Sequence, residues 1–306
     1  LARLGAGLPG VRFSCVSLPV LDVEMPEVTA SSVVVPWLSI VITVHNRPRY
    51  IAACLRSVLS QSRVQPNVET IVVDDGSEEA TRSIIGRFAD ACPKACSVVT
   101  LPQHRGVGGA RNVGWNAAKG RYVWFVDSDD WIAPGMVEKI LTLLKHDPTV
   151  DVMLLGLRVY DQTRRTVRPH PGMSVLVEAA RRIELVDEIP PGLRETLLRT
   201  PIAVCGKVVR KSLVRRWPFQ PIGRAEDLRF HFEALVAARR VRIMTEPSYR
   251  YRRHGPEQIT LRDDRSLLDP LSALGSVRRF LLARDCAPAI RHAERNGFVV
   301  HAMRIG

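Results

Sequence analysis

From residue 37 onward, short apolar runs alternate with stretches whose apolar residues recur every three or four positions. Leu38 to Val44 reads LSIVITV, brief, β-branched and apolar, as a strand buried on both faces should be. Ile51, Cys54, Leu55, Val58 and Leu59 then fall at i, i+3, i+4, i+7 and i+8, which predicts one buried face of a helix. Val68 to Val73 predicts a second buried strand. It ends in Asp74-Asp75-Gly76-Ser77, where Ser77 is placed to cap a helix carrying Glu78 and Glu79 in its first turn. Ser97 to Leu101 reads as a third strand, and Gly109 to Ala118 as a helix closed by Gly120. Arg121 to Val126 is a fourth strand, tipped by Asp127-Ser128-Asp129-Asp130, and Pro134 opens a helix reaching about Lys145.

Strand and helix in this rhythm imply a parallel sheet with helices on both faces. Such sheets bind ligands beyond the carboxyl ends of their strands. His45-Asn46, Asp74-Asp75 and Asp127 to Asp130 all lie at those ends. After about residue 150 the alternation weakens. Asp151 to Tyr160 predicts a strand, residues 161–200 are rich in Arg and Pro and give no clear pattern, and Ala225 to Ala238 predicts a helix. A strand follows at Arg242 to Thr245, then two helices within 266–304. Residues 1–36, with Pro9, Pro19, Pro26 and Pro36 and little periodicity, are expected to form a flexible extension in which Met25 is an alternative start.

Composition narrows the class without naming a partner. With 46% apolar and 25% charged residues, the chain is ordinary for a globular protein. No apolar run reaches the roughly 18–20 residues a membrane-spanning helix needs, so the expectation is a cytoplasmic protein, at most peripheral to the inner face of a membrane. The 44 Lys and Arg against 31 Asp and Glu give a net charge of +13. That suits anionic partners such as nucleotides, acidic lipid or acidic glycan. Six scattered cysteines form no disulfide framework. Cys92 and Cys96 lack the second pair or nearby His that a zinc site needs, and reduced thiols are expected.

The acidic strand tip is the main chemical signal. Three carboxylates within four residues repel one another, and a divalent cation such as Mn2+ or Mg2+ would relieve that repulsion with hard oxygen ligands. The plainer reading is a solvated acidic turn. Asp74 and Asp75 have a plain reading too, an Asx turn with Gly76. Arg111 has a plain reading as a surface helix residue. Gly106, Gly108 and Gly109 imitate half of a dinucleotide fingerprint, but Arg111 occupies the third glycine position.

Five pieces occur in order at compatible spacings: LSIVITVHN from Leu38 to Asn46, CLRSVLSQ from Cys54 to Gln61, IVVDDGS from Ile71 to Ser77, GVGGARN from Gly106 to Asn112, and GRYVWFVDSDD from Gly120 to Asp130. Together they resemble family 2 glycosyltransferases, over about residues 37 to 145. The resemblance implies a GT-A-type, mostly parallel sheet flanked by helices with a C-terminal helical segment, binding a nucleoside-diphosphate-sugar and a divalent metal. It divides the chain into the extension 1–36, a nucleotide-sugar half 37–145, an acceptor and catalytic half 146–260 and a helical segment 261–306. It places Thr43, Asn46 and Asp75 against the nucleotide, Arg111 near the nucleotide or its phosphates, Asp127 at the ribose and metal, and Asp129 as the main metal ligand. Residue 45 is His where family members usually carry Tyr.

Glycosyl transfer needs a base for the acceptor hydroxyl. Ala225-Glu226-Asp227-Leu228 resembles the family's acidic element that opens a helix beside the donor, with Asp227 as the base and Glu226 supporting it. Without the resemblance, these acids read as helix-dipole partners. Tyr249 to His254 resembles the terminal element, in which His254 binds metal and Arg252 or Arg253 pairs with phosphate. Its plain reading is a solvated basic strand end. Trp131 and Trp217 are candidates for a sugar-binding floor or for core. The implied function is metal-dependent, inverting transfer to a glycan, lipid-linked or small-molecule acceptor. The rivals are a sugar-phosphate nucleotidyltransferase and a basic nucleic-acid-binding protein. The first lacks its phosphate loop after strand one, and the second lacks any reading module, so no nucleic acid is expected.

Overall fold

The computed structural model describes residues 35–182, 191–198, 200, 203–214, 218–222, 225–254 and 269–283. The first strand, β1 (Leu38–Val44), is buried at every position. Ile40 and Ile42 enter one hydrophobic cluster with Trp124, while Val41 enters the other with Phe125, the period-two alternation of a pleated strand. A strand covered on both faces can be apolar throughout, and each fully buried aliphatic side chain contributes roughly 1.5–3 kcal/mol.

Around β1 run α1 (Ile51–Ser62), β2 (Val68–Asp74), α2 (Glu79–Ala91), β3 (Cys96–Thr100), α3 (Gly106–Ala117), β4 (Tyr122–Asp127), β5 (Trp131–Ile132) and α4 (Met136–His146). The second half adds β6 (Val152–Asp161), β7 (Thr166–Pro169), α5 (Met173–Arg182), α6 (Pro191–Leu198), β8 (Lys207–Arg210), α7 (Leu228–Ala237), β9 (Val241–Arg253) and α8 (Asp269–Leu282). All strands join one sheet in the order β3-β2-β1-β4-β8-β6-β9-β5, with β7 beside β6. The predicted parallel part is β3-β2-β1-β4. Beyond it the sheet becomes mixed: β8 runs antiparallel to both β4 and β6, and β9 parallel to β6. One sheet therefore spans both halves of the chain.

The helices on α3's side cover the face of Val41, Ile71 and Phe125, and α1 and α4 cover the face of Ile40, Ile42 and Trp124. Helix α3 sits so close to β1 that a Cβ on Gly114 would lie 2.3 Å from Val41 Cγ1.

Several local expectations shift. Ser77 does not cap α2. Its Oγ accepts from Asn46 N (3.1 Å), and α2 starts only at Glu79. The amide of Glu78 is satisfied instead by Asn46 Oδ1 at 2.8 Å, a cap supplied from the end of β1. Helix α3 starts at Gly106 rather than Gly109. Pro134 precedes rather than opens α4, because left-handed Gly135 (φ 75°) intervenes. Helix α7 starts at Leu228, since Ala225 (φ 55°) is left-handed and breaks the run. The strand expected at Arg242 to Thr245 extends to Arg253. Helix α8 supplies one of the two helices expected within 266–304, and the second lies outside the described residues, as do Trp217 and the expected extension through residue 34. Among the described residues no helix is long and apolar enough to cross a membrane, and Cys54, Cys92, Cys96 and Cys205 are free thiols.

Candidate functional site

Parallel pairing brings the strand tips together. Thr43, buried near the end of β1, is in register with Val73 on one side and Asp127 on the other. At the end of β2, Asp74 Oδ1 accepts from Ser77 N (3.0 Å), so Asp74 does form the Asx-type turn. Asp75 is different. Its Oδ1 accepts from Arg105 N at 2.7 Å, and its Oδ2 lies 2.8 Å from His104 Nδ1. His45 Nδ1 donates to the Asp75 carbonyl (2.8 Å), and the His45 and His104 rings stack with centroids 3.8 Å apart. The side chain of Asn46 is engaged with α2 in the same corner.

Arg111 links the two halves. It is 4% exposed, on the inner face of α3 rather than on a surface helix. Its Nη2 pairs with Asp127 Oδ1 at 2.6 Å, and its Nη1 pairs with Glu226 Oε1. Sequence neighbours of Arg111 make that reach possible. A Cβ on Gly108 would lie 2.0 Å from Gln220 O and 3.3 Å from Glu226 Cβ, so only glycine lets the Phe219–Gln220 segment and Glu226 approach α3. Asn112 then fastens the segment, its Nδ2 donating to Phe219 O (2.8 Å) and its Oδ1 accepting from Phe219 N (2.9 Å). Burial works against the charge on Arg111, but the carboxylates of Asp127, Glu226 and Asp227 overcome it and raise its pKa. Burial also raises the Asp127 carboxyl, opposed by Arg111. It pushes Glu226 up to about 7 despite the same guanidinium. Asp227, just ahead of α7, accepts from Val204 N through Oδ2 at 3.1 Å.

Strand β9 closes the other side. Tyr249 Oη donates to Asp130 Oδ2 (2.7 Å) and accepts from Asp127 N (3.0 Å). Arg252 N donates to Asp130 Oδ1 and its Nε to Asp129 O, both at 2.7 Å. Asp130 is thus a buried tie between β9 and the acidic turn. Burial, then the charges of Asp129 and Asp127, hold its carboxyl well above the usual range. His254 Nε2 lies 2.8 Å from Asp129 Oδ2, and the His254 side chain is 0% exposed. Trp131 stands half-buried on β5 with the Arg252 guanidinium 4.6 Å from its ring centroid, between the core and floor readings.

Two sets of side chains invite comparison with a divalent cation. Asp127, Asp130 and Cys205 have ligand atoms within 4.8 Å of one another. Asp130 is already committed to Tyr249 and Arg252, and burial raises the Cys205 thiol, a soft donor ill-suited to Mn2+ or Mg2+. Asp129 and His254 fit better. Two ligands of one small cation, each at ~2.1 Å and at right angles, lie ~3.0 Å apart. Asp129 and His254 are joined by a 2.8 Å hydrogen bond, a spacing that such a cation also accepts, and both donors are of the type Mn2+ takes.

The structure thus groups Asn46 and Asp75 in one corner, Arg111, Asp127 and Glu226 in a second, and Asp129 and His254 in a third, all at the same sheet edge. Sequence reasoning missed Asn112, Tyr249 and Lys207. Asn112 stood in the GVGGARN run and Tyr249 at the start of the terminal element. Lys207 is buried in β8, donates to Ala203 O (3.0 Å), and has its pKa lowered to about 8 by burial, with Asp227 opposing the shift. Apart from its place in CGKVVR, it carried no signal.

The model of the glycosyl transferase family 2 matches residues 39–216, more than half of the chain. EpsH of Bacillus subtilis (strain 168) is 30% identical over 224 residues, 72% of this chain and 61% of EpsH. EpsJ of the same organism, named an uncharacterized glycosyltransferase, is 29% identical over 230 residues, 74% of this chain and 63% of EpsJ. The chain spans about three fifths of the length of these relatives. Among solved structures, S. aureus TarS 1-349 in complex with UDP-GlcNAc superposes with a TM-score of 0.61 at 22% identity, over 80% of this chain and 65% of that one. Mannosyltransferase PcManGT from Pyrobaculum calidifontis, in complex with GDP-Man and Mn2+, does so with 0.56 at 18% identity, over 88% and 72%. At such identities these structures speak for the fold alone. The chain belongs to glycosyl transferase family 2, and its acidic strand tips and Arg111 bridge lie at the edge of that family's GT-A-type sheet.

Proposed function

We propose that this protein transfers a sugar from a nucleoside-diphosphate-sugar to an acceptor hydroxyl by a single displacement that inverts the anomeric centre. The observation that carries this reading is the Arg111 bridge, which joins the metal-side acid Asp127 to the segment holding Glu226 and Asp227. Two carboxylate functions then share one pocket although 100 residues separate them. Thr43 and Asp75 border the nucleotide in this reading, and Asn46 supports that corner through its hold on α2. Asp129 and His254 would hold Mn2+ or Mg2+, which supplies charge stabilisation to the departing diphosphate.

Asp227 is the base. One of its oxygens is held by Val204 N, and the other accepts the proton of the acceptor hydroxyl. The acceptor oxygen forms its bond to the anomeric carbon as the bond to the diphosphate oxygen breaks, and the nucleoside diphosphate leaves with that electron pair. Arg111 offsets one of the two charges on Asp127 and Glu226, so a diphosphate entering there does not meet two uncompensated carboxylates. A neighbour's complexes with UDP-GlcNAc or with GDP-Man and Mn2+ are compatible with a donor of this class.

A thermal-shift panel of nucleoside diphosphates and their sugars, with and without Mn2+, tests the reading, because a ligand bound only by the folded state raises stability by mass action. Asp129→Ala is expected to lose the Mn2+-dependent shift. Asp227→Asn is expected to keep it while losing transfer. Full turnover by Asp227→Asn, or no metal-dependent shift with any nucleotide, refutes the proposal.

A further inference from the structure

A cavity of about 620 Å³ lies away from the acidic strand tips, between α5 and the strands β6 and β9. Its origin is a bulge. The β6–β9 register jumps from Leu155↔Met244 to Gly156↔Pro247. The looped-out backbone fits only because residue 156 is glycine: a Cβ there would lie 2.1 Å from Glu246 O and 2.6 Å from Thr245 O. Leu157, Pro169, Met173, Val177 and Pro247 make the walls apolar, and Arg158 and Arg181 stand in them with Glu178 as the acid.

Beside this cavity the fold leaves a like-charge pair unresolved. Arg158 on β6 is directly opposite Arg250 on β9, so both guanidinium groups leave the same face of the sheet. Neither pairs with a carboxylate among the described residues. Arg250 Nη1 is buried and without a hydrogen-bond partner there. Burial, and then the charge of Arg158, lower the Arg250 pKa. Like charges directly opposite destabilise a sheet, and a buried donor without a partner adds to that cost. An anion between the two guanidinium groups removes both penalties, and their forked donors match a phosphate. An apolar cavity of a few hundred Å³ bearing a few placed polar groups is what a small amphiphile requires.

From the assembly of apolar cavity and unpaired arginines we infer that this is an acceptor-anchoring subsite for an amphiphilic phosphate, with an apolar chain between α5 and β9 and its phosphate on Arg158 and Arg250. The inference rests on the transferase reading above for the word acceptor. Strand β9 runs two residues from Arg250, at the phosphate, to Arg252, at Asp129, or ~7 Å at ~3.3 Å per residue, and Pro247 at the cavity lies three residues further back. The anchor is therefore held apart from the reacting hydroxyl, which leaves room for the acceptor's sugar or linker between them.

The test is calorimetric titration of the full chain with octyl phosphate below its micelle concentration, beside inorganic phosphate and neutral octyl glucoside. The nucleotide–Mn2+ thermal shift is measured on the same preparations. Octyl phosphate is expected to bind at least about tenfold tighter than either control, since a charge-assisted contact and an apolar one act together. Arg158→Gln is expected to weaken it by about tenfold or more. Val177→Trp, which fills the cavity, is expected to abolish it, and both variants are expected to keep the nucleotide shift. Equal binding of octyl phosphate and inorganic phosphate, or unchanged binding by Arg158→Gln, overturns the inference while leaving the donor site standing. Octyl phosphate binding without any nucleotide shift overturns the transferase reading and leaves only an amphiphile pocket. Vesicles of phosphatidylglycerol form the last arm. Capture of the protein by them that octyl phosphate competes and Arg158→Gln loses assigns the site to a bilayer surface and overturns the acceptor role.

Discussion

Replacing Arg111 by Leu removes the one cation among the described residues that pairs with both Asp127 and Glu226, and it does so in a site where water replaces little of the lost charge. Breaking a buried ion pair from one side costs roughly 3–5 kcal/mol when the orphaned group stays charged. Here the orphaned groups are carboxyls that escape the penalty by taking up protons. In the native protein Glu226 already titrates near 7 rather than at its ordinary 4.5. The folded state binds that proton more tightly than the unfolded chain. Its contribution is therefore fully present below pH 4.5 and is lost as pH rises through 7, by ~3 kcal/mol in all. Without the guanidinium, Glu226 and Asp127 both rise further, because Arg111 is the largest lowering influence on each. The penalty for Arg111→Leu is then smaller at pH 5, ~1 kcal/mol, where Glu226 is mostly neutral and its contact with Arg111 is a hydrogen bond rather than an ion pair. It grows to roughly 3–5 kcal/mol at pH 8. Urea denaturation of both proteins at pH 5, 6, 7 and 8, with chelator present, measures the difference, in which other titrating groups cancel. A loss that is equal at pH 5 and pH 8, or larger at pH 5, refutes the reasoning.

Asn112→Ala removes both hydrogen bonds to Phe219 and leaves a backbone N–H and C=O without partners. Urea denaturation should show a loss of roughly 2–4 kcal/mol, with a weakened nucleotide response because Glu226 is no longer pressed toward Arg111. Tyr249→Phe withdraws the hydroxyl that serves both Asp130 and Asp127 N, at a cost of roughly 1–3 kcal/mol by the same measurement, with the Mn2+-dependent thermal shift reduced.

The parallel half was legible because its physics is local. A strand buried on both faces must be apolar, a helix on its face must repeat every three to four residues, and β1, α1, β2 and β4 obey these rules almost to the residue, whereas β3 ends the sheet and is mostly exposed. The second half is not written that way. Strand β8 is four residues long and pairs antiparallel with β4, which nothing within those four residues encodes. Residues 161–200 hold β7, α5 and α6 in a stretch where Arg and Pro hide the period. Ser77 failed as a cap for a similar reason. Its hydroxyl had a nearer partner in Asn46 N, and the helix amide was met by Asn46 Oδ1, a residue 32 positions away.

At the candidate site, the sequence determined which residue types stand at the strand tips: carboxylates at 74, 75, 127, 129 and 130, and a second acidic pair at 226 and 227. Their chemistry follows from composition and place alone. Only the tertiary structure decided which acids are open to a ligand and which hold the frame. Asp129 faces His254, whereas Asp130 is tied down by Tyr249 and Arg252. Asp74 closes a turn, whereas the Asp75 carboxylate meets Arg105 N and His104. Adjacent residues separate in this way because side-chain partners come from strands and helices 30 to 125 positions distant. Such distances are set by how the sheet pairs and where Gly108 and Gly156 let backbones meet. A linear pattern records burial and period, but it carries no measure of which two distant segments come within 3 Å.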